Sequence, residues 1–242
     1  MILHRVIEQV RKQEWTAIAI DFVIVVLGVF IGIQVSNWNE MRANKASLTK
    51  ALERLEAEAA QNVEIADGVL QIIEKGRTDR ELAKTAVSNC EETPEAVAAL
   101  GRTLMNFTGD FQPNFVFVAL EQVADKDAYQ DLLSPAFSRA LGAYNSRLNE
   151  EQIQLTSHYD KIWQYHVDKH PSVTAYFAGP QEADWTFALA KPFSDVCSDP
   201  TFRSRFVNTI GFLRAIERRL KQFKLQIAEF QAAIADELGH HQ

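Results

Sequence analysis

The chain has 242 residues, of which 47% are hydrophobic and 24% are charged. This balance is typical of a folded protein and excludes disorder as the main state, while the length allows one large domain or two small ones. The net charge of −7 argues against a nucleic-acid partner, because binding through counterion release requires a basic surface.

The first predicted element is a transmembrane helix over residues 15–38. Residues 15–35 read WTAIAIDFVIVVLGVFIGIQV, an apolar run with one ionisable residue, Asp21. At about 1.5 Å per residue, this run spans the roughly 30 Å hydrocarbon core of a bilayer. Polar residues follow at once instead of a small-residue cleavage site, which disfavours a cleaved signal peptide. Trp15 and Trp38 bracket the run and are expected to anchor it at the two membrane interfaces.

The membrane orientation does not follow from a count of basic residues, since residues 1–14 and residues 36–50 carry three each. We expect residues 1–14 to form a short cytoplasmic tail, because a short basic tail commonly precedes an uncleaved anchor. The extramembrane domain, residues 39–242, is then expected on the far side of the membrane.

Two long helical segments with heptad spacing are predicted at the ends of this domain. In each segment the residues at the heptad positions form one row along the helix, called the seam here. The first segment continues from the membrane to Gly76 and has one polar seam residue, Asn62. The second begins with Asp199 as N-cap and runs to Leu238. The apolar seam positions are Leu48, Leu52, Leu55, Ala59, Ala66, Val69 and Ile73, and then Phe206, Leu213, Ile216, Leu220, Phe223, Ile227, Phe230 and Ile234. We expect residues 39–76 and 200–238 to pair as an antiparallel stalk, although such seams could also pair between two chains.

The remaining residues, 77–199, are predicted to form a distal region of shorter helices. These helices are expected from Thr93 to about Phe107, from an Asn114 cap to about Ala124, and from Ser134 to about Lys169. Residues 170–199 show no lasting period and are expected to be a long ordered connection. The predicted fold is therefore all-α: one transmembrane helix continuing into a stalk, a helical bundle, and a long returning C-terminal helix.

Residues 24–42, IVVLGVFIGIQVSNWNEMR, resemble the N-terminal signature of a broad family of uncharacterised bacterial single-pass membrane proteins. In that signature an acid precedes an apolar stretch that ends in a Gln-x-x-Asn-Trp-Asn-Glu pattern. Asp21 takes the position of the acid, where the family commonly has glutamate, and the terminal pattern is matched by Gln34, Asn37, Trp38, Asn39 and Glu40. The resemblance implies a bacterial membrane location and a helical extramembrane domain. With the expected orientation, this places the chain in the inner membrane with its bulk domain in the periplasm.

One stripe of the membrane helix is a candidate interaction face. At about 100° per residue, the stripe contains Ala17, Asp21, Val25, Gly28, Gly32, Val35 and Asn39. Gly28 and Gly32 form a small-xxx-small pair, which lets two helix backbones approach closely in lipid. Asp21 shares this face, and a carboxyl group turned toward lipid would be costly. The alternatives are that the glycines have no partner and that Asp21 lies close enough to the interface to reach water.

Other candidate sites are weaker. Cys90 and Cys197 could pair in a disulfide in an oxidising compartment, or they could be two buried free thiols. His166 and His170 have a spacing that can bind a metal, but no third ligand follows from the spacing, so no metal site is expected. No catalytic or cofactor-binding residue is expected either, because no nucleophilic, phosphate-binding or redox motif is present in the sequence.

These observations favour a non-enzymatic, membrane-anchored interaction or accessory protein. Its expected partner is a membrane protein or a second copy of the chain, bound through the stripe on the membrane helix and through the stalk. The alternative is a helical bundle that senses a ligand between its helices and signals through a membrane partner. A membrane-tethered hydrolase is disfavoured, because no constellation of catalytic residues supports it.

Overall fold

The computed structural model describes residues 15–165, 167–177, 179 and 185–241, and describes side chains from residue 19 onward. Among these residues the fold is all-α, as predicted, apart from one two-stranded sheet. The helices are α1 (Trp15–Lys75), α2 (Arg77–Asn89), α3 (Pro94–Asn106), α4 (Val118–Asp125), α5 (Asp127–Gln130), α6 (Pro135–Tyr165), α7 (Phe193–Ser198) and α8 (Pro200–His241). The strands are β1 (Val173–Phe177) and β2 (Trp185–Leu189), and a 3-10 turn occupies Val167–Lys169.

The chain divides into two compact units, Met1–Lys50 and Ala51–Gln242. In the first unit, the N-terminal part of α1 is long and apolar enough to span a membrane. Its large apolar side chains between Ile20 and Val35 are all exposed, by 48% to 68% of their surface. This part of α1 therefore carries its apolar side chains all around its circumference, as a membrane helix does.

The second unit is a bundle in which α8 packs mainly against α6. The ring of Tyr144 on α6 stacks on Phe230 of α8 with centroids 4.0 Å apart, and the Tyr165 ring stacks on Phe212 at 5.6 Å. Since the numbers rise along α6 as they fall along α8, the two helices are antiparallel. The expected stalk of the first and last helices did not include α6, which packs along α8.

The predicted heptad positions are buried. Each of the apolar seam residues named above is at most 6% exposed, and Asn62 is fully buried with them. Within the second unit, Lys224 on α8 pairs with Asp67 on α1, and Arg77 lies 2.7 Å from Glu217. Asp67 comes before Arg77 in the sequence, whereas the partner of Asp67, Lys224, comes after the partner of Arg77, Glu217. The end of α1 and the start of α2 therefore run antiparallel to α8.

Three of the four predicted helix caps are confirmed. Thr93 Oγ1 accepts a hydrogen bond from Ala96 N, Ser134 Oγ accepts one from Phe137 N, and Asp199 Oδ1 accepts one from Thr201 N. The predicted helix start at Asn114 was wrong, because residues 114–117 have no regular secondary structure and α4 begins at Val118; the helix ends at Asp125, next to the expected Ala124. The cap of α4 comes from Glu58 on α1.

Residues 170–199 contain more regular structure than predicted. They form the antiparallel hairpin of β1 and β2, paired from Val173 with Leu189 to Phe177 with Trp185, and then the short helix α7. The long helix that was expected to reach about Lys169 ends at Tyr165, and the 3-10 turn follows it. Phe187 on β2 is 7% exposed and attaches the hairpin to the bundle.

Candidate interaction site

The predicted face on the membrane helix is open in the structure. A Cβ atom added to Gly28 or to Gly32 would have no other atom within 4 Å, apart from its own helix backbone. Val25 and Val35 on the same stripe are 63% and 52% exposed, and Asn39 is exposed as well. The side chain of Ala17 lies outside the described residues. Along the stripe, a second helix could therefore approach the backbone of α1 without first displacing a side chain.

The C-terminal end of the apolar run carries an aromatic and a cationic side chain. The Arg42 guanidinium lies 5.8 Å from the centre of the Trp38 ring, which is cation–π distance. Trp38 is 57% exposed. A tryptophan beside an arginine suits the headgroup level of a bilayer, where the ring meets the acyl boundary and the cation meets phosphate. The side chain of Trp15, the other expected anchor, lies outside the described residues.

The two cysteines are joined. Cys90 and Cys197 form a disulfide with Cα atoms 5.4 Å apart and a sequence separation of 107 residues. Cys90 caps the C-terminus of α2 in a left-handed conformation, with φ at 57°, while Cys197 is buried in α7 at 1% exposure. The bond therefore attaches the end of α2 to the short helix that precedes α8.

The one polar seam position has a structural partner in the same unit. Asn62 Oδ1 accepts a hydrogen bond from Val116 N, and Asn62 Nδ2 donates one to Val116 O, both at 2.8 Å. One turn earlier, the buried Glu58 carboxylate accepts from Ala119 N at 2.6 Å and from Leu120 N at 3.1 Å. Glu58 thus caps the N-terminus of α4, whose own N-cap residue, Phe117, offers no side-chain bond.

Other buried charged groups also serve helix ends. Arg80 is 6% exposed; it donates to the Ile73 carbonyl at 2.5 Å and to Asn106 Oδ1 at 2.9 Å, and so closes the C-terminus of α1. Burial lowers the pKa of Arg80, and the neighbouring Arg77 lowers it further. At the start of α6, Glu237 accepts from Ser134 N at 2.9 Å and from Ser134 Oγ at 2.6 Å. Burial would raise the pKa of Glu237, but these bonds and one from His241 lower it overall.

At the interface of α6 and α8, a buried carboxylate pairs with a partly exposed arginine. Glu151 on α6 is 6% exposed and lies 3.1 Å from Arg219 Nε on α8. Burial raises the pKa of Glu151 even though the Arg219 cation opposes the shift. On the same interface, burial raises the pKa of Tyr144 to about 12. These groups join the two helices to each other, and their partners lie within the bundle.

His170, considered above as a metal ligand, has other partners. Its Nδ1 accepts from Ser172 N at 3.2 Å, and its Nε2 lies 3.4 Å from Asp199 Oδ2. Asp199 accepts hydrogen bonds from the backbone amides of Phe202 and Thr201, and these bonds lower the pKa of the Asp199 carboxyl group. His166 lies outside the described residues, and among those described no group of three potential ligands is close enough to hold a metal ion. His170 therefore connects the hairpin to the start of α8.

Comparisons with protein-family models, with curated proteins and with solved structures found no match.

A groove between α6 and α8 is the other surface of interest. It has a volume of about 290 Å³, an apolar floor of Ala140, Ala143, Tyr144 and Phe230, and a polar rim of Arg147, Gln226 and Glu229. The Gln226 Oε1 atom is buried without a hydrogen-bond partner among the described residues. Sequence reasoning missed this groove, because the alanines that form its floor fall outside the seams that the heptads identify.

Proposed function

We propose that this chain is a non-enzymatic, membrane-anchored interaction or accessory protein. The observation that carries the proposal is the stripe of α1, where an acid and two glycines share one face of a helix that is apolar all around. An acid within a membrane helix favours a protein partner over lipid, and glycines supply close backbone contact. The partner is a second membrane helix, from another membrane protein or from a second copy, and the bundle adds a further contact surface.

A second candidate function is ligand sensing through the groove between α6 and α8. The unpartnered Gln226 Oε1 favours it, since a buried acceptor gains a hydrogen bond when a ligand donor enters. The groove would suit a small amphipathic molecule with one donor group. A sensor of this kind would signal through the same membrane partner.

We place the chain in a bacterial inner membrane with the N-terminus in the cytoplasm and the bulk domain in the periplasm. The disulfide supports this orientation, since such bonds persist in oxidising compartments. Alkaline phosphatase fused after Gln242 should therefore be active in cells, because it folds only after export. A green fluorescent reporter at the same position should be dark, and the reverse pattern would refute the orientation.

The stripe is tested by adding bulk where two backbones would meet. Replacing Gly28 and Gly32 together with Leu leaves the helix at least as apolar, so membrane insertion should survive. Association should be lost, because the leucine side chains hold the partner helix away. The measurement is co-purification of differently tagged copies, and of partner proteins, from detergent extracts of cells that make both forms.

Leu at Val26 and Phe30 is the matched control, since these positions lie off the stripe and are 48% and 58% exposed. The control should associate like the unaltered chain. Equal association of the glycine variant and the control would show that α1 is an anchor alone, and that the contact lies in the bundle.

A further inference from the structure

The two cysteines of the disulfide differ in their access to solvent. Cys90 lies between α2 and α3, in a stretch where every residue from 88 to 95 is exposed. Its Sγ atom lies 3.9 Å from the Ser198 hydroxyl oxygen and 3.9 Å from the Ser194 carbonyl oxygen, and both serines are exposed residues of α7. The Cys90 sulfur is therefore at the surface of the bundle.

Cys197 lies on the inner face of the same short helix. It is 1% exposed, and the other residues on this face, Phe193 and Val196, are 2% and 0% exposed. Helix α7 packs against α2 and α8, which cover this face. A molecule in solution can therefore reach the Cys90 sulfur directly, whereas it reaches Cys197 only after α7 has left the bundle.

This difference decides which sulfur a thiol can attack. In thiol–disulfide exchange, a thiolate approaches one sulfur from the side opposite the other sulfur, and the second sulfur leaves. Attack on Cys90 comes from the exposed side, with Cys197 as the leaving group. Attack on Cys197 would have to come from the side of the buried face, where the bundle leaves no room for the incoming thiol.

We propose that Cys90 is the site at which small-molecule thiols exchange with this disulfide, and that Cys197 is the resolving thiol that restores it. A thiolate RS⁻ attacks Cys90 Sγ, and a bond forms between the two sulfurs. The bond from Cys90 to Cys197 breaks, and its electron pair leaves on Cys197 as a thiolate. The attacking sulfur is thus oxidised to the disulfide level, and Cys197 is reduced.

The same geometry makes the product, a mixed disulfide at Cys90, short-lived. The Cα atoms of Cys90 and Cys197 are 5.4 Å apart, which is within the range that a disulfide spans. Because α7 holds the Cys197 thiolate beside the mixed disulfide, this thiolate attacks Cys90 Sγ, expels RS⁻ and restores the original bond. The exchange therefore attaches a thiol to the protein only transiently, and loss of Cys197 makes the attachment lasting.

The first test uses the unaltered chain in detergent, with glutathione as the thiol. The exchange is stopped with acid after short times, and peptic peptides are analysed by mass spectrometry for the glutathione that each cysteine carries. In the folded protein we expect at least about ten adducts on Cys90 for each one on Cys197. In protein unfolded with urea, the two cysteines should carry similar amounts. Similar amounts in the folded protein, or an excess on Cys197, would overturn the proposal.

The resolving role of Cys197 is tested with the Cys197→Ala variant. Oxidised glutathione should add to Cys90, and the adduct should persist after the glutathione has been removed, whereas the adduct on the unaltered chain should disappear. Loss of both adducts at the same rate would refute the resolving role.

Cys90→Gly is the matched control, since it leaves only the buried thiol. While this variant is folded, as circular dichroism can verify, its Cys197 should react with oxidised glutathione at least about tenfold more slowly than Cys90 does in the folded Cys197→Ala variant. In urea the two variants should react at similar rates. Equal rates in the two folded variants would contradict the assignment of Cys90, and if either variant fails to fold, the adduct ratio in the unaltered chain decides.

Discussion

Removing the Cys90–Cys197 disulfide should lower the free energy of unfolding by about 4 to 5 kcal/mol, the largest single effect that we expect. The bond closes a loop of 107 residues, and in the chain-entropy model a loop of this size gives a stabilisation of that order. Urea unfolding of the Cys197→Ala variant and of the unaltered chain measures this difference in free energy. In protein as isolated from cells and then unfolded, neither thiol should react with an alkylating agent until a reductant is added.

Cys90→Gly is the informative companion variant. It breaks the same disulfide, but it also removes a side chain from a left-handed backbone position, with φ at 57°. A non-glycine residue there costs up to about 1 kcal/mol, so Cys90→Gly should be less destabilising than Cys197→Ala. Full alkylation of both cysteines in unfolded, unreduced protein would show that the thiols are free, and would remove the basis for this prediction.

Replacing Asn62 with Leu should lower the free energy of unfolding by about 2 to 3 kcal/mol. The substitution leaves the Val116 N–H and C=O groups without partners, and each unpaired backbone group costs about 1 to 3 kcal/mol when buried, less where water reaches it. The heptad pattern alone predicts the opposite, since leucine in an apolar seam stabilises paired helices. The midpoint of chemical denaturation distinguishes the two expectations: it falls if the bonds to Val116 matter and rises if the seam only pairs helices.

Glu56→Leu serves as the control for this prediction, because it introduces the same side chain at an exposed position on the same helix. Its stability should stay within about 0.5 kcal/mol of that of the unaltered chain. If Asn62→Leu is as stable as the control or more so, the seam of α1 is an ordinary helix-pairing surface and the bonds to Val116 contribute little.

The sequence predicted the parts of the fold that depend on local pattern. Heptad spacing identified the buried positions of α1 and α8, because one face of a helix repeats at a fixed interval. Thr93, Ser134 and Asp199 were predictable as caps, since each lies next to the amides that it accepts from. The stripe on α1 likewise follows from spacing within a single helix, and it is the part of the candidate site that the sequence could supply.

The parts that the sequence did not predict depend on residues that are far apart in the chain. Asn114 was expected to begin a helix, but the amides of α4 are accepted by Glu58 instead, 61 residues before Ala119. No local pattern links these two segments. The hairpin was missed because β1 is exposed along most of its length and so lacks the alternation of buried and exposed residues that identifies a strand.

Several helix ends are capped by side chains that lie far away in the sequence. These separations set the order in which the caps can form while the chain is being synthesised. Glu58 leaves the ribosome before α4, so the residue that caps α4 is already present when the amides of α4 emerge. Ser134 must wait for Glu237, 103 residues later, and Cys90 must wait for Cys197. Until the last helix is synthesised, the start of α6 therefore has only the cap that Ser134 itself provides. A chain truncated before Glu237 would lack the second half of that cap permanently.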